Sequence, residues 1–197
     1  MIRIGAAPGY TAANRENHAM HALASRCRLI ESPIGLLRAT EHDGALVALS
    51  FVDDPAEHAH GADARDASRL LDDLQRRLDR YFAGEREDFD LPLAPRGTEF
   101  QQRLWRTLRQ VPWGKTVSYG ELAVRAGRDA NTARAAARAC ATNPVAIVIP
   151  CHRVIGANGA LTGFAGGMDR KRFLLGLEQA DAAGQRTDYA LFATAGA

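Results

Sequence analysis

Cysteine is scarce in this chain. Its 197 residues hold three, Cys27, Cys140 and Cys151. An odd number at wide spacings builds neither a disulfide framework nor a Cys-x-x-Cys zinc pattern. Three reduced thiols in a reducing compartment are the plain reading. Long apolar runs are also missing. The longest, such as Val145–Pro150, are far too short to span a bilayer. Met1 to Met20 has no basic start followed by an apolar stretch, so no secretory signal is visible. The expected location is therefore the cytoplasm, with no membrane partner. Net charge is nearly absent too, at +2. What is present is ordinary for a soluble globular protein: 46% hydrophobic and 24% charged residues. The length suffices for one large or two small domains with real cores.

The small net charge hides an uneven distribution. Residues 1–96 hold 12 arginines against 16 carboxylates, a balance of −4. Residues 97–183 hold 12 basic against 6 acidic residues, a balance of +6. The basic half is the candidate for a polyanionic partner, although such swings also occur without one.

Periodicity and punctuation divide the chain into an extension over 1–22, an α/β domain over 23–92, a second domain over 93–183 and a tail over 184–197. Three apolar-rich runs, Arg28–Ser32, Gly35–Glu41 and Ala45–Val52, read as strands. Ser32-Pro33 and His42-Asp43-Gly44 separate them, and the Asp-Gly pair signals a hairpin. Residues 53–64 read as a polar, His-rich loop. Residues 66–83 read as a helix, with Leu70, Leu71, Leu74, Leu78 and Phe82 on one face and Asp66 as a candidate cap. Pro92 and Pro95 mark the boundary. Beyond it, Thr98–Gln110 reads as a helix with Thr98 as cap. Ser118 caps another, with Glu121 completing a capping box and Gly127 stopping it. A third covers Ala130–Ala141, and Asp169 opens a last one to about Gln179. The segment Val145–Ile155 reads as extended. Gly156–Gly167 holds five glycines in twelve residues, a tightly turning loop. The fold class is α/β, or more closely α+β. A three-stranded antiparallel sheet with one helix precedes a mainly helical domain.

The unit around Gly127 resembles a helix-turn-helix. Its second helix, Asn131 to Ala141, has almost no bulk except Arg134 and Arg138. Small residues let a helix approach another surface closely, which suits the narrow minor groove of DNA. They equally suit a tightly packed internal helix with two arginines facing solvent.

Pro150-Cys151-His152-Arg153 lies inside an apolar run, where a cysteine is ordinarily inert core. A neighbouring histidine can raise the thiolate fraction, directly or through a water. In an extended segment adjacent side chains point to opposite faces, so direct contact needs a turn or a bridging water. A buried imidazole also needs an orienting acid. The residues alone leave Cys151 open between core thiol and nucleophile.

Pro150-Cys151-His152-Arg153-Val154-Ile155, preceded by Asn143-Pro144, resembles the active-site motif of the O-6-alkylguanine-DNA alkyltransferases, or methylated-DNA–protein-cysteine methyltransferases. Phe100 with Trp105, Val111 through Gly114, Ser118-Tyr119, Arg134, Gly163, Gly167, Lys171, and Leu174-Leu175 with Glu178 fall at that family's spacing. The resemblance is strong over 97–178 and weaker from Cys27 to Phe82. It implies single-turnover DNA repair, in which an O-6-alkyl group on guanine moves to Cys151 and stays there. O-4-methylthymine is a second candidate substrate. It further implies that His152 acts as base through a bridging water, that Glu178 orients the imidazole, and that Asn143 braces the turn carrying Cys151. Tyr119, the Val154 carbonyl, Gly163, Phe164 and Ala165 would line the base pocket. Arg134, Tyr119, Gly120 and Ala133 would contact DNA, with Arg134 filling the stack after the base flips out. The implied partner is double-stranded DNA with an alkylated guanine, entered from the minor groove by a monomer. No cofactor or metal is implied.

Two departures concern the pocket. Phe164 stands where the family more often has Tyr, and Ala165 where it often has Ser. Each lost hydroxyl removes a hydrogen bond worth about 1 kcal/mol. Some relatives bind zinc through Cys and His; here Cys27, with scattered His18, His21, His58 and His60, is not expected to. Three cysteines also cannot supply the four-cysteine zinc site of the dual-function regulators. The alternative is a non-catalytic lesion-binding relative, but such proteins replace the acceptor cysteine. A cysteine hydrolase is a third class; Pro150, before Cys151, removes one backbone donor that its oxyanion hole would want.

Overall fold

A computed structural model of the chain describes residues 25–53 and 68–182. The expected extension over 1–22, the tail over 184–197, Asp66 and the four scattered histidines lie outside the described residues.

Three strands, β1 (Arg26–Ile30), β2 (Leu36–His42) and β3 (Ala45–Val52), form an antiparallel sheet in that order. Asp43 and Gly44 close the β2–β3 hairpin with φ of 53° and 73°. Both angles are positive, which is why Asp-Gly reads as a hairpin signal. On β2, Leu37, Ala39 and Glu41 face inward. Helix α1 (Arg69–Phe82) covers that face with Leu71, Leu74, Leu78 and Tyr81. The cap of α1 is Ser68, whose Oγ accepts from the Leu71 amide at 3.1 Å. Its hydroxyl also donates to the buried Glu41 carboxylate, so the cap is tied to the sheet as well.

Residues 83–98 run back along the sheet. Leu46 exchanges backbone hydrogen bonds with Pro92 and Ala94. Helix α2 (Glu99–Leu108) starts at Thr98 with a capping box closed by Gln101. It buries Leu104, Trp105 and Leu108, and the Trp105 indole donates to the Ala139 carbonyl at 2.9 Å.

Next comes a strand the sequence reading missed, β4 (Val117–Ser118), and helix α3 (Tyr119–Arg125). The Ser118–Glu121 capping box is present. Gly127, at φ +75°, ends α3, with the Arg128 amide donating to the Ala123 carbonyl, a left-handed glycine stop. A 3-10 turn over Ala130–Thr132 precedes helix α4 (Ala133–Ala141), so the expected single helix is divided. Ala123 and Ala126 of α3's end and Ala136 and Ala139 of α4 are buried, so the two helices meet through small residues.

Val145–Ile155 is not extended, contrary to the sequence reading. Ile147 has φ +68°, the Val148 amide bonds Ala146, and Cys151–Arg153 form a 3-10 turn. Only β5 (Val154–Ile155) is strand, and it pairs in parallel with β4. The apolar run is apolar because it is buried in folded-back turns, which periodicity cannot separate from a buried strand. Helix α5 (Met168–Ala182) closes the described structure. One continuous core runs from Ile30 to Leu177. No helix among the described residues is long and apolar enough to cross a membrane.

Candidate active site

The turn over 143–153 is held by Asn143. Its Oδ1 accepts from the Val145 amide at 3.1 Å. Its Nδ2 donates to the Ile149 carbonyl at 2.8 Å and to Cys151 Sγ at 3.1 Å. One side chain thus ties both ends of the turn and touches the thiol. Leu49 of β3 also bonds this turn at both sides, through Pro144 and Ala146. A β-branched residue at positive φ is costly, and Ile147 is kept there by these surrounding bonds.

Behind Cys151 lies a fully buried polar centre. Glu178 on α5 and His152 are each 0% exposed. His152 Nε2 lies 2.8 Å from Glu178 Oε1. Arg153 donates to both carboxylate oxygens, Nε to Oε2 at 2.8 Å and a terminal nitrogen to Oε1 at 2.9 Å. It also donates to the Val111 carbonyl at 2.6 Å. The Tyr81 hydroxyl donates to Oε1 at 2.9 Å and the Gly114 amide to Oε2 at 3.2 Å. Burial alone would raise the Glu178 carboxyl, but the bonds and charges of His152 and Arg153 prevail and hold it at about 2. An ionised Glu178 fixes the proton of His152 on Nε2 and leaves Nδ1 as the basic nitrogen. Nδ1 is buried and makes no hydrogen bond within the described residues. Burial lowers the His152 pKa against the pull of Glu178, so the imidazole is neutral. Burial likewise pushes the Cys151 thiol up, against the Asn143 bond and the Lys171 charge. The resting state is a protonated thiol beside a neutral base and an ionised acid.

The β4–β5 pair puts Val117 opposite Val154 and Ser118 opposite Ile155. Tyr119 follows Ser118 and so reaches the same end of the site. It is half-buried, within electrostatic reach of Cys140 and Cys151, and its oxygen accepts from Thr162 Oγ at 3.2 Å. The Val154 carbonyl accepts from Lys171 Nζ at 2.6 Å. Lys171 is 0% exposed and also donates to the Thr162 carbonyl at 2.9 Å. Gly163 and Ala165 are exposed, and Phe164 is half-buried against Phe51. The Cys140 thiol is buried in α4 packing, and burial drives its pKa far above the ordinary thiol range. Arg134 is exposed on α4, beside half-buried Ala133, and half-buried Gly120 lies in the first turn of α3.

The fold therefore brings together two bonded pairs, Asn143–Cys151 and His152–Glu178, on adjacent residues of one turn. It gathers Tyr119 and Val154 at the same end through β4–β5, and leaves Arg134, Gly120 and Ala133 on the helix-turn-helix. Three members of the buried centre were not singled out from the sequence: Tyr81, Arg153 and the Gly114 amide. Arg153 sat inside the motif and could have been found. Tyr81, 97 residues from Glu178, carried no signal beyond its place on α1.

A buried thiol next to a His–Glu pair, in a chain that also carries a helix-turn-helix, fits a protein that does cysteine chemistry on DNA. Comparison with known proteins narrows that class. The family model of the 6-O-methylguanine DNA methyltransferase DNA-binding domain matches residues 99–180, and that of its ribonuclease-like domain matches residues 25–95. A methylated-DNA–protein-cysteine methyltransferase of Mycolicibacterium paratuberculosis is 46% identical over 152 residues, covering 77% of this chain and 91% of that one. A Mycobacterium tuberculosis O6-methylguanine methyltransferase structure matches with TM-score 0.71 and 41% identity, covering 86% of this chain and 99% of the other. The structure of Mycobacterium tuberculosis OGT in complex with DNA matches with TM-score 0.70 and 43% identity, over 79% and 93% of the two chains. This chain belongs to the 6-O-methylguanine DNA methyltransferase family.

Proposed function

We propose that the protein repairs DNA by direct reversal, moving an alkyl group from O-6-alkylguanine to Cys151 once per molecule. The observation that carries this reading is the pair of bonds Asn143–Cys151 and His152–Glu178 on adjacent residues, in a family member whose relatives bear the methyltransferase name. The guanine enters flipped out of the duplex, because an alkyl group on a stacked base edge is poorly placed for in-line attack. The thiol proton passes to His152 Nδ1 through one water, and Glu178 stabilises the imidazolium. Cys151 Sγ forms a bond to the alkyl carbon as the carbon–O6 bond breaks. The departing guanine keeps the electron pair and takes up the proton, so thiol and alkylguanine become thioether and guanine. A polarisable thiol suits displacement at a saturated carbon. The neutral resting thiol fits this scheme, since charge is needed only when substrate is seated.

Tyr119, the Val154 carbonyl and the loop at Gly163–Ala165 hold the base. Arg134 enters the stack from the minor groove, and Gly120 and Ala133 allow the backbone to approach. With Phe164 and Ala165 lacking hydroxyls, base recognition falls more heavily on backbone groups. O-4-methylthymine is a second candidate substrate of the same site. The chain acts as a monomer, divided near Pro92 and Pro95, and three free thiols suit a reducing cytoplasm. The presence of Cys151 favours transfer over non-catalytic lesion binding.

Mass spectrometry after incubation with an O-6-methylguanine oligonucleotide duplex tests the proposal. The expected result is one added methyl, on Cys151, with no turnover. Unmodified protein that still binds the duplex would favour the lesion-binding alternative.

A further inference from the structure

In the first turn of helix α5, the adjacent Arg170 and Lys171 hold opposite ends of one loop. Lys171 holds the loop's inner end by donating to the Thr162 carbonyl. Arg170 holds its outer end by donating to the Gly166 carbonyl at 3.1 Å. Gly163, Phe164 and Ala165 are the three residues strung between these anchors. Arg170 does not stop at the loop. Its Nε donates to the Ile34 carbonyl, in the β1–β2 turn, at 2.8 Å. Its third nitrogen donates to Asp53, just past β3, at 2.9 Å. Its guanidinium lies 4.6 Å from the ring centroid of Phe51 on β3, a cation–π distance.

Phe51 completes the contact. Its ring meets Phe164 edge to face, with centroids 6.1 Å apart and planes at 70°. The loop is pressed onto that ring. A Cβ on Gly166 would fall inside the van der Waals envelope of both Phe51 and Phe164. Gly35 makes the other close approach: it sits at φ +105°, and a Cβ there would be 3.2 Å from the Arg170 guanidinium. None of Ile34, Gly35, Phe51 or Asp53 belongs to the motif around Cys151. They come from the N-terminal sheet, which meets the turn carrying Cys151 separately, through Leu49.

We propose that Arg170 and Phe51 are positioning residues that latch the base-pocket loop onto the N-terminal sheet and so set how large an O-6 substituent the pocket accepts. The proposal rests on the alkyl-transfer reading above. A methyl group is accommodated with the loop latched. A larger group must displace the wall at Phe164, and displacing it breaks the Arg170–Gly166 bond and the Phe51–Phe164 contact together. Loosening the latch therefore favours bulky groups over methyl, whereas a merely structural role would lower both rates alike.

The test compares second-order transfer rates for O-6-benzylguanine and O-6-methylguanine in the same duplex, using the full chain. The variants are Arg170→Ala, Phe51→Leu and Asp53→Ala. The benzyl-to-methyl rate ratio is expected to rise about tenfold in the first two and about threefold in the third. Ratios within about twofold of wild type, or equal losses of both rates, would overturn the latch. Should Arg170→Ala fail to fold, Asp53→Ala decides alone, because the Asp53 side chain is 84% exposed and outside the core. Wild-type protein that transfers neither group overturns the alkyl-transfer reading and the latch with it. Wild-type protein that transfers both, with unchanged ratios in the variants, overturns the latch only.

Discussion

The buried centre around Glu178 and the helix pair α3–α4 draw their residues from very different distances along the chain. Glu178 collects donors from α1 (Tyr81), the turn after α2 (Gly114) and the 3-10 turn (His152 and Arg153). All are buried or nearly so, and each needs the others in place. The helix pair is assembled from neighbours: a capping box spanning Ser118 and Glu121, a glycine stop at Gly127, and alanines that let α4 lie close to α3. Arg134, the side chain proposed to enter the stack, faces solvent. A change in the first region should disturb fold and chemistry together. A change in the second should alter dealings with DNA and leave the fold alone.

The sharpest break of this comparison is Glu178→Ala. It strands Arg153 and His152 in the core, so unfolding free energy should fall by about 3–5 kcal/mol, read by denaturant titration. Stability within about 1 kcal/mol of wild type would mean that Glu178 does not hold the buried centre together.

Arg134→Ala tests the other side. Stability should stay within about 0.5 kcal/mol, while repair of a duplex lesion slows by roughly thirtyfold, the loss of about 2 kcal/mol that helps offset unstacking. Reaction with the free base O-6-benzylguanine should not change. Equal slowing on free base and duplex would remove Arg134 from the flipping step.

Tyr81→Phe is gentler, since Glu178 keeps its other donors. A loss of about 1.5 kcal/mol is expected from one bond to a charged acceptor, with a lowered transfer rate on free base and duplex alike. A purely duplex-specific defect would contradict its place in the buried centre.

The smallest effect is that of mild acid. His152 is held neutral in the fold, below its ordinary pKa, so protons favour the unfolded chain once pH drops through about 6.5. Glu178, held at about 2, acts in the same direction further down, below the ordinary carboxyl range. Stability should therefore begin to fall as pH drops through about 6.5 and go on falling below it, and the slope should shrink in His152→Gln. A flat profile would mean that His152 is not desolvated in the fold.

Much of this architecture was legible in the residues. Asp43-Gly44 specified a hairpin, and Leu71, Leu74 and Leu78 specified the inner face of α1. Ser118, Glu121 and Gly127 fixed both ends of α3 because capping is a matter of groups three or four residues apart. The cap of α1 was misplaced to Asp66 because Ser68 is chosen partly by a bond to Glu41, 27 residues away. The run Val145–Ile155 was misread because its turns are held by Asn143 and by Leu49, neither of which leaves a period in the run itself.

The residues that the fold gathers around Cys151 were thus named from the sequence, through the match of Pro150-Cys151-His152-Arg153, Asn143 and Glu178 to the family's spacing. Tertiary structure alone decided their states. A thiol kept protonated, an imidazole kept neutral and a carboxylate kept ionised follow from burial and from Tyr81, Gly114 and Arg153 converging on one carboxylate. The attachment of the loop over 163–166 to the N-terminal sheet was likewise decided there, by Arg170 reaching Ile34 and Asp53 more than a hundred residues away. Local signals fix local geometry through short-range bonds, whereas protonation states and long-range anchors depend on which distant groups share a low-dielectric space.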